Sequence, residues 1–384
     1  MKKILFITTR NPFSGRYSGD VIRAKRILDY LRKKNNVDAI FLTNKNEISK
    51  INNSKGENIF FVYPNLILKI FYCLKNVFKF DPLQFGLFFS KKMSDYIKDN
   101  ANNYDLLFFH QIRSSQYLPN NFYGDTVLEM GDLYSDNYLQ TYNNLSFFNI
   151  FRFIYLFESF LVRNKENSLF NSFDKIILFS KNEIKKVNQK FRKKIFHIEE
   201  STQFIKKRYT HNSKNYKILF IGNLGYVPNI LACREFVYKI LPKLRKIIPN
   251  VEFYIIGNIK IFDKLILSLS KNIKILGQQK SLDKFIKQSI CGLANLKVAT
   301  GVQGKVLTYM SFGLPVICSQ RASLNFSKKV LSYKNNKELI HLISNLKNNA
   351  KLSKKMSLNS LKFVKQLNWN KIKFKYSKVI NFNK

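Results

Sequence analysis

Acidic side chains are scarce in this 384-residue chain: 24 Asp and Glu stand against 66 Lys and Arg, a formal net charge of +42. Such an excess attracts polyanions of any kind, whether nucleic acid, anionic lipid headgroups or phosphorylated substrates. Lysine and asparagine are abundant throughout, so charge alone does not choose among these. The few acids form no D-x-D pair and no cluster with His or Cys at ligand spacing, so any chemistry is expected to be metal-independent and to need no cofactor. Cysteine is rare too. Cys73, Cys233, Cys291 and Cys318 lie far apart with no C-x-x-C, which excludes a disulfide framework, and three sit in apolar runs as buried thiols of a reducing cytosol would. No stretch reaches the eighteen or so uncharged apolar residues of a spanning helix, so membrane contact would have to be peripheral. The apolar run after Met1, Lys2 and Lys3 stops at Thr8, too short for the core of a signal peptide, and reads as a first buried strand.

What is present is an alternation of short apolar runs with helical periodicity. Lys3 to Thr8, a polar loop to Gly19, and Asp20 to Lys33 with Val21, Ala24, Leu28 and Leu31 on one face make a strand-loop-helix unit. Further runs at Asp38 to Leu42, Ile59 to Val62, Tyr104 to His110 and Thr126 to Met130 continue the pattern, and a doubly wound parallel sheet is the economical architecture. In such sheets ligands bind beyond the carboxyl ends of the strands, which places Arg10, Arg16, Gly19 and Asp20 where they would touch a substrate. His110 follows its strand directly and is a candidate catalytic residue, although a lone His is more often a surface or capped residue than a catalyst. Arg113 close behind it would clamp an anionic group. Near Lys206 to Asn215 the chain turns polar without periodicity, the mark of a linker. Domains are thus expected at 1–208 and 216–367, with a terminal helix over 368–384.

The most informative stretch runs from the strand Ile290 to Ala294 through Thr300-Gly301-Val302-Gln303-Gly304 into a helix that opens at Lys305. Val306, Leu307 and Met310 share its buried face, and Gly313 ends it where a left-handed cap needs no Cβ. A strand, a glycine turn and a helix N-terminus present free backbone N–H groups and the positive end of a dipole to one point, which suits a diphosphate, and Lys305 adds a full charge there. On spacing alone, an ordinary strand-to-helix connection fits equally well.

Gly301, Gln303, Lys305, Val306, Leu307, Tyr309, Met310, Gly313, Pro315 and Val316 resemble the nucleotide-sugar signature of the retaining GT-B glycosyltransferases of family 4 (glycosyl transferases group 1). Gly222-Asn223-Leu224-Gly225-Tyr226-Val227-Pro228-Asn229 is similar to the G-N-x-x-Y-x-P-N opening of the same group, and Tyr17-Ser18-Gly19-Asp20 to its first glycine loop without the second Gly. Phe173 to Glu183, behind a long helix from about Phe148 to Phe170, extends the resemblance to most of the chain. It implies two doubly wound Rossmann-like α/β domains facing across a cleft, a nucleoside diphosphate sugar donor held by Gly222, Asn223, Gly301, Val302, Gln303, Gly304, Lys305 and Thr308, and an acceptor side with Arg10, Gly19, Asp20 and Arg113. Candidate catalytic residues are His110 and Lys305. The acceptor implied is lipid-linked or a surface-polysaccharide precursor, with configuration retained, and the terminal helix led by Trp369 would cross back to the first domain. This sequence also departs from the signature itself: the family's two acids fall on Thr300 and Thr308, and the second of them is the ribose-holding position. Many relatives also carry an Arg and a Lys in the region of the Gly222 to Asn229 opening, and no such pair is evident here.

Two other readings compete. The charge with 20 Tyr and 36 Phe suits a nucleic-acid binder, but the aromatics lie within apolar runs and no nucleic-acid motif is present. Loss of both acids suits a non-catalytic nucleotide-sugar-binding protein. Between Asn65 and Phe89, aliphatic and aromatic residues alternate with Lys69, Lys75 and Lys79. This pattern is expected either to pack on the sheet or to lie against anionic headgroups on the inner face of a cytoplasmic membrane. Glu158 and Glu166 on the long helix read either as part of the family's first domain or as a solvated face paired with Arg152, Arg163 and Lys165.

Overall fold

The computed structural model describes residues 1–15, 18–51, 56–202, 205 and 209–381. Arg16 and Tyr17 of the first loop and Lys206 to Arg208 of the linker lie outside the described residues. The chain forms two compact units. One comprises Met1–Leu139, Phe153–Glu199 and Ile372–Lys384, the other Gln140–Arg152 and Glu200–Lys371. The segment Gln140–Arg152, contiguous in sequence with the first unit, is counted with the second, where the Gln140 amide oxygen accepts the Ala299 N–H at 3.1 Å.

In the first unit, β1 (Lys3–Thr8), β2 (Asn36–Thr43), β3 (Asn58–Val62), β4 (Leu106–His110), β5 (Asp125–Gly131), β6 (Lys175–Leu178) and β7 (Ile195–His197) form one parallel sheet in the order β3-β2-β1-β4-β5-β6-β7. The near-continuous apolar runs of β1 and β4 follow from that position, because a central parallel strand is covered by helices on both faces. Leu5, Ile7, Leu107, Phe109 and Leu128 are fully buried in one cluster with Phe173. The helix Trp369–Asn381 belongs to this unit through Ile372–Asn381. It buries Ile372, Tyr376, Val379 and Ile380, and Ser377 Oγ is 2.7 Å from Tyr30 Oη.

In the second unit, β8 (Lys217–Ile221), β9 (Glu252–Ile256), β10 (Ile273–Ile275), β11 (Ser289–Ala294), β12 (Val316–Ser319) and β13 (Leu331–Tyr333) run parallel in the order β10-β9-β8-β11-β12-β13. Each sheet therefore reverses its winding once, between β1 and β4 and between β8 and β11, and at such a switch point two loops part to leave a crevice for ligand. The helix that follows the turn after β8 is regular over Val227–Glu235, widens to a π turn over Phe236–Ile240, and resumes over Leu241–Arg245. Pro242 has no N–H to donate, so the helical ladder must shift there.

The reading of Glu158 and Glu166 as a solvated face is overturned. On the helix Phe151–Ser172 they are 4 % and 3 % exposed. Glu158 accepts the backbone N–H of Leu83 (2.8 Å) and Gln84 (3.1 Å), and Glu166 accepts the N–H (3.1 Å) and hydroxyl (2.6 Å) of Ser135. Both carboxylates thus cap the starts of other segments, and burial pushes the Glu166 carboxyl up to about 7 despite these donors.

Candidate active site

At the switch point of the second unit, β8 ends in the turn Gly222 to Gly225 and β11 in the loop that leads to the helix Gly304–Ser311. Gly301 takes φ 59°, and Gln303 precedes the helix without a side-chain cap, its amide donating instead to the Thr300 carbonyl at 2.8 Å. Asn325 Nδ2 donates to the Gly301 carbonyl from the other side. The helix is seated by Tyr309. Its buried ring lies against Gly292, where a Cβ would come within 2.3 Å, and its hydroxyl accepts the Ile221 N–H at 2.7 Å. Tyr309 thereby ties the end of β8 to the helix that follows β11.

Lys305 turns inward. Its ammonium lies 4.1 Å from the centre of the Phe220 ring and donates to Asn229 Oδ1 at 2.5 Å. Asn229 in turn donates from Nδ2 to the Asn223 carbonyl at 2.8 Å, so Lys305, Asn229 and the glycine turn after β8 form one connected unit. Burial pushes the ammonium down to about 7, only partly opposed by the Cys233 and Cys318 thiols. A cation so poorly solvated gains more from an arriving anion than an exposed lysine does. Close packing of backbone underlies the turn: Gly257 takes φ 140°, and a Cβ there would come within 2.0 Å of the Gly222 carbonyl oxygen.

The structure thus brings together Gly222, Asn223 and Lys305, with Gly301, Val302, Gln303 and Gly304 on the approach to the same helix. Thr308 is half-buried, and its hydroxyl donates to the Gly304 carbonyl at 3.0 Å, one turn back on its own helix. A pocket of about 280 Å³ lies at the carboxyl ends of β11, β12 and β13, lined by Asn295, Lys297, Ser319, Arg321 and Tyr333, and none of the expected donor residues line it.

In the first unit, the strand register creates a charged cluster. His110 is paired with Thr8 across β1 and with Glu129 across β5. Its Nδ1 lies against the Glu129 carboxylate, and its Nε2 donates to the Asp20 carbonyl at 3.2 Å. Both ring nitrogens of the fully buried His110 are thus already engaged by partners within the first unit. Its place is that of a positioning residue. Arg23 reaches Glu129 at 2.8 Å from the helix Gly19–Leu31, and Arg10 reaches Asp20 at 3.1 Å. Burial opposes ionisation of both acids, yet Arg23 and His110 hold Glu129 below the usual carboxylate range, while Ser18, Arg10 and His110 do the same for Asp20.

Arg10 and Arg113 meet the same ring: their guanidinium carbons lie 5.0 and 4.8 Å from the centre of Phe88, and Arg113 Nε donates to Gln84 Oε1 at 2.8 Å. Gly19 opens its helix with free space where a Cβ would be, so none of the described residues demands glycine there. Sequence reasoning missed Glu129, Arg23, Asn229 and Gln111. Gln111, next after His110, has φ 67° and ψ 151°, a region that glycine alone adopts readily, and its buried Oε1 has no hydrogen-bond partner among the described residues. Asn229 alone left a signal, as the last residue of the run Gly222 to Asn229.

Both sheets, their switch points and the glycine turns define the GT-B class. Residues 215–349 match the model of the family described as glycosyl transferases group 1. This stretch of the second unit is thus similar to the group 1 glycosyltransferases, and the enzyme class is glycosyltransferase. Solved structures similar over the whole chain include sucrose-phosphate synthase from Thermosynechococcus elongatus (14 % identity, TM-score 0.72, covering 100 % of this chain and 99 % of that one). Anabaena HepE, solved with UDP and glucose, is similar at 10 % identity and a TM-score of 0.66 over 100 % of both chains. TarM of S. aureus, solved with fondaparinux, alpha-GlcNAc-glycerol and UDP, is similar at 11 % identity and a TM-score of 0.66 over 99 % of this chain and 100 % of that one. At such identities the likeness is one of fold. A search of curated protein sequences finds no match.

Proposed function

We propose that the chain transfers a sugar from a nucleoside diphosphate sugar to a lipid-linked or surface-polysaccharide acceptor, with retention of configuration and without a metal. The observation that carries this reading is the inward ammonium of Lys305, joined through Asn229 to the glycine turn after β8 and standing at the start of an uncapped helix. A leaving diphosphate at this point would meet backbone N–H groups, the positive end of a helix and a desolvated cation, and such preorganised charge is worth most where the transition state builds negative charge. HepE and TarM were each solved with UDP, and both share this architecture. The acceptor side falls to Arg10, Asp20 and Arg113, with His110 and Glu129 holding the loop in place from below.

Thr300 and Thr308, in place of two acids, favour a second reading in which the chain binds the nucleotide sugar without turning it over. One experiment separates the two. A panel of nucleotide sugars is screened by thermal shift, since a ligand that binds only the folded state raises its melting temperature. The stabilising donor is then incubated with the protein and analysed for released nucleoside diphosphate. Stabilisation with release supports transfer, stabilisation without release with any acceptor supports the binding protein, and no stabilisation by any donor removes both.

A further inference from the structure

The helix Leu66–Phe78 is amphipathic in the opposite sense to one that packs on a core. At 100° per residue, Ile67, Ile70, Phe71, Leu74 and Phe78 fall within an arc of about 100°, and this stripe points away from the protein. Ile67 is 77 % exposed, Phe71 56 % and Phe78 84 %, and no residue of the helix is buried. What faces inward is the mixed side: Cys73 Sγ donates to the Leu83 carbonyl at 3.3 Å, Asn76 Nδ2 to the Pro82 carbonyl at 3.1 Å, and Tyr72 packs edge-on against Phe89. Just beyond, Phe80 adopts φ 55°, uncommon for a non-glycine residue, with its ring 69 % exposed.

A second apolar stripe in the same unit lies on the helix Phe151–Ser172, where Phe153, Phe157 and Phe160 follow the i, i+4, i+7 spacing and are 54 %, 40 % and 56 % exposed. The two helices are mechanically linked. Glu158, next to Phe157, caps the short helix Leu83–Gly86, on which the helix Leu66–Phe78 rests, and Lys165 pairs with Asp81 at 2.9 Å in the intervening bend. Apolar surface this extensive marks an interaction site. The charge says what kind: from Asn58 to Phe80 there is no acidic residue, Lys75 and Lys79 follow the apolar stripe round the helix, and both acids of the second helix are buried.

We infer that this face of the first unit docks on an anionic lipid bilayer, with Ile67, Phe71, Phe78 and the Phe153-Phe157-Phe160 stripe entering the acyl boundary and Lys75 and Lys79 meeting headgroup phosphates. A second copy of the chain would present +42 to +42, whereas an anionic surface complements both the stripe and its lysines. The inference rests on these exposed helices and not on the glycosyl-transfer reading. A bilayer-docked enzyme of this kind would reach acceptors that carry a lipid.

The test is sedimentation of the full chain with vesicles of phosphatidylglycerol and phosphatidylcholine, or of phosphatidylcholine alone, at low and high salt. Binding to the anionic vesicles is expected at low salt, falling at high salt and about tenfold or more weaker on phosphatidylcholine. The pairs Ile67→Ser with Phe71→Ser and Phe157→Ser with Phe160→Ser should each lower partition by about tenfold, with unchanged circular dichroism because these side chains face solvent. Lys75→Glu with Lys79→Glu should abolish the preference for phosphatidylglycerol without touching the apolar stripe. Absence of binding to anionic vesicles at low salt, or full binding by both serine pairs, overturns the inference. So does a dimer in vesicle-free buffer that the serine pairs dissolve, for then a second copy covers this face.

Discussion

Replacing Lys305 by Met keeps most of the side-chain volume and removes only the ammonium, which sits 4.1 Å from the centre of the Phe220 ring and donates to Asn229 at 2.5 Å. A charge-assisted contact to a diphosphate contributes roughly 1.5 to 3 kcal/mol, so Lys305→Met should weaken binding of UDP or the matched donor by about 10- to 150-fold. A pH signature accompanies it. Burial places the ammonium at about 7 in the free protein, so above that pH an anionic ligand must bring a proton with it. Affinity should then fall by up to about tenfold per pH unit above neutrality, and in Lys305→Met that slope should be gone. Stability moves in the opposite direction. The folded value lies below the roughly 10.4 of an unfolded lysine, so between the two the unfolded chain binds more protons and stability rises with pH. The wild type should gain on the Met variant from about pH 7 to pH 10. Titration calorimetry across this range, with melting curves in the same buffers, reads both effects. Equal affinity of the two proteins with no difference in pH slope would refute the phosphate role and leave Lys305 as a pin for Asn229, in which case Asn229→Ala should lower the melting temperature as much as Lys305→Met does.

Thr308→Glu, which exchanges a hydroxyl bonded to the Gly304 carbonyl for a carboxylate of longer reach, should tighten UDP binding several-fold if ribose hydroxyls lie beside it; calorimetry showing no gain or a loss would reject that placement. Gln111→Gly relieves a backbone held at φ 67° and should raise stability by about 1 kcal/mol, while transfer activity falls if the unpaired amide oxygen serves a substrate; a variant both less stable and fully active would contradict this account. For Glu166, raised to about 7, the folded state binds more protons than the unfolded between roughly pH 4.3 and 7. Stability should therefore decline through that window in the wild type and decline less in Glu166→Gln, as melting temperature against pH will show. Gly292→Ala places a Cβ within 2.3 Å of the Tyr309 ring and should destabilise by about 1 to 3 kcal/mol, with a smaller Tyr309 substitution recovering part of the loss in a double-mutant cycle.

The strands were legible because each is an apolar run bounded by polar turn residues, and the helix after β11 because Gly313, at φ 72°, caps it as the sequence indicates. The donor turn was legible for the same local reason: Gly301 to Lys305 is one contiguous stretch. The charged cluster of the first unit was not. His110 and Glu129 are 19 positions apart and become neighbours only through the β4–β5 register, and Arg23 joins them from a helix whose own periodicity says nothing of a carboxylate. Glu158 and Glu166 look like solvated acids among Arg152, Arg163 and Lys165, because nothing local reveals that their partners are backbone N–H groups of Leu83, Gln84 and Ser135. The Asn65-to-Phe89 pattern shows an amphipathic helix, but which side faces out depends on what Cys73 and Asn76 find at Pro82 and Leu83 beside them.

The final helix bears on the order in which the chain acquires its structure. Ile372, Tyr376, Val379 and Ile380 complete the core of the first unit, Lys375 pairs with Glu199 at 2.5 Å, and Lys2 donates to the Ile380 carbonyl at 3.0 Å. During synthesis, then, the domain begun first cannot be finished until the last helix has left the ribosome. The second, whose main stretch ends at Lys371, has all its parts earlier. A chain cut between Lys371 and Ile372 should leave a folded second domain and a first one that lacks its closing piece, which chaperones and proteases would meet as an unfinished core.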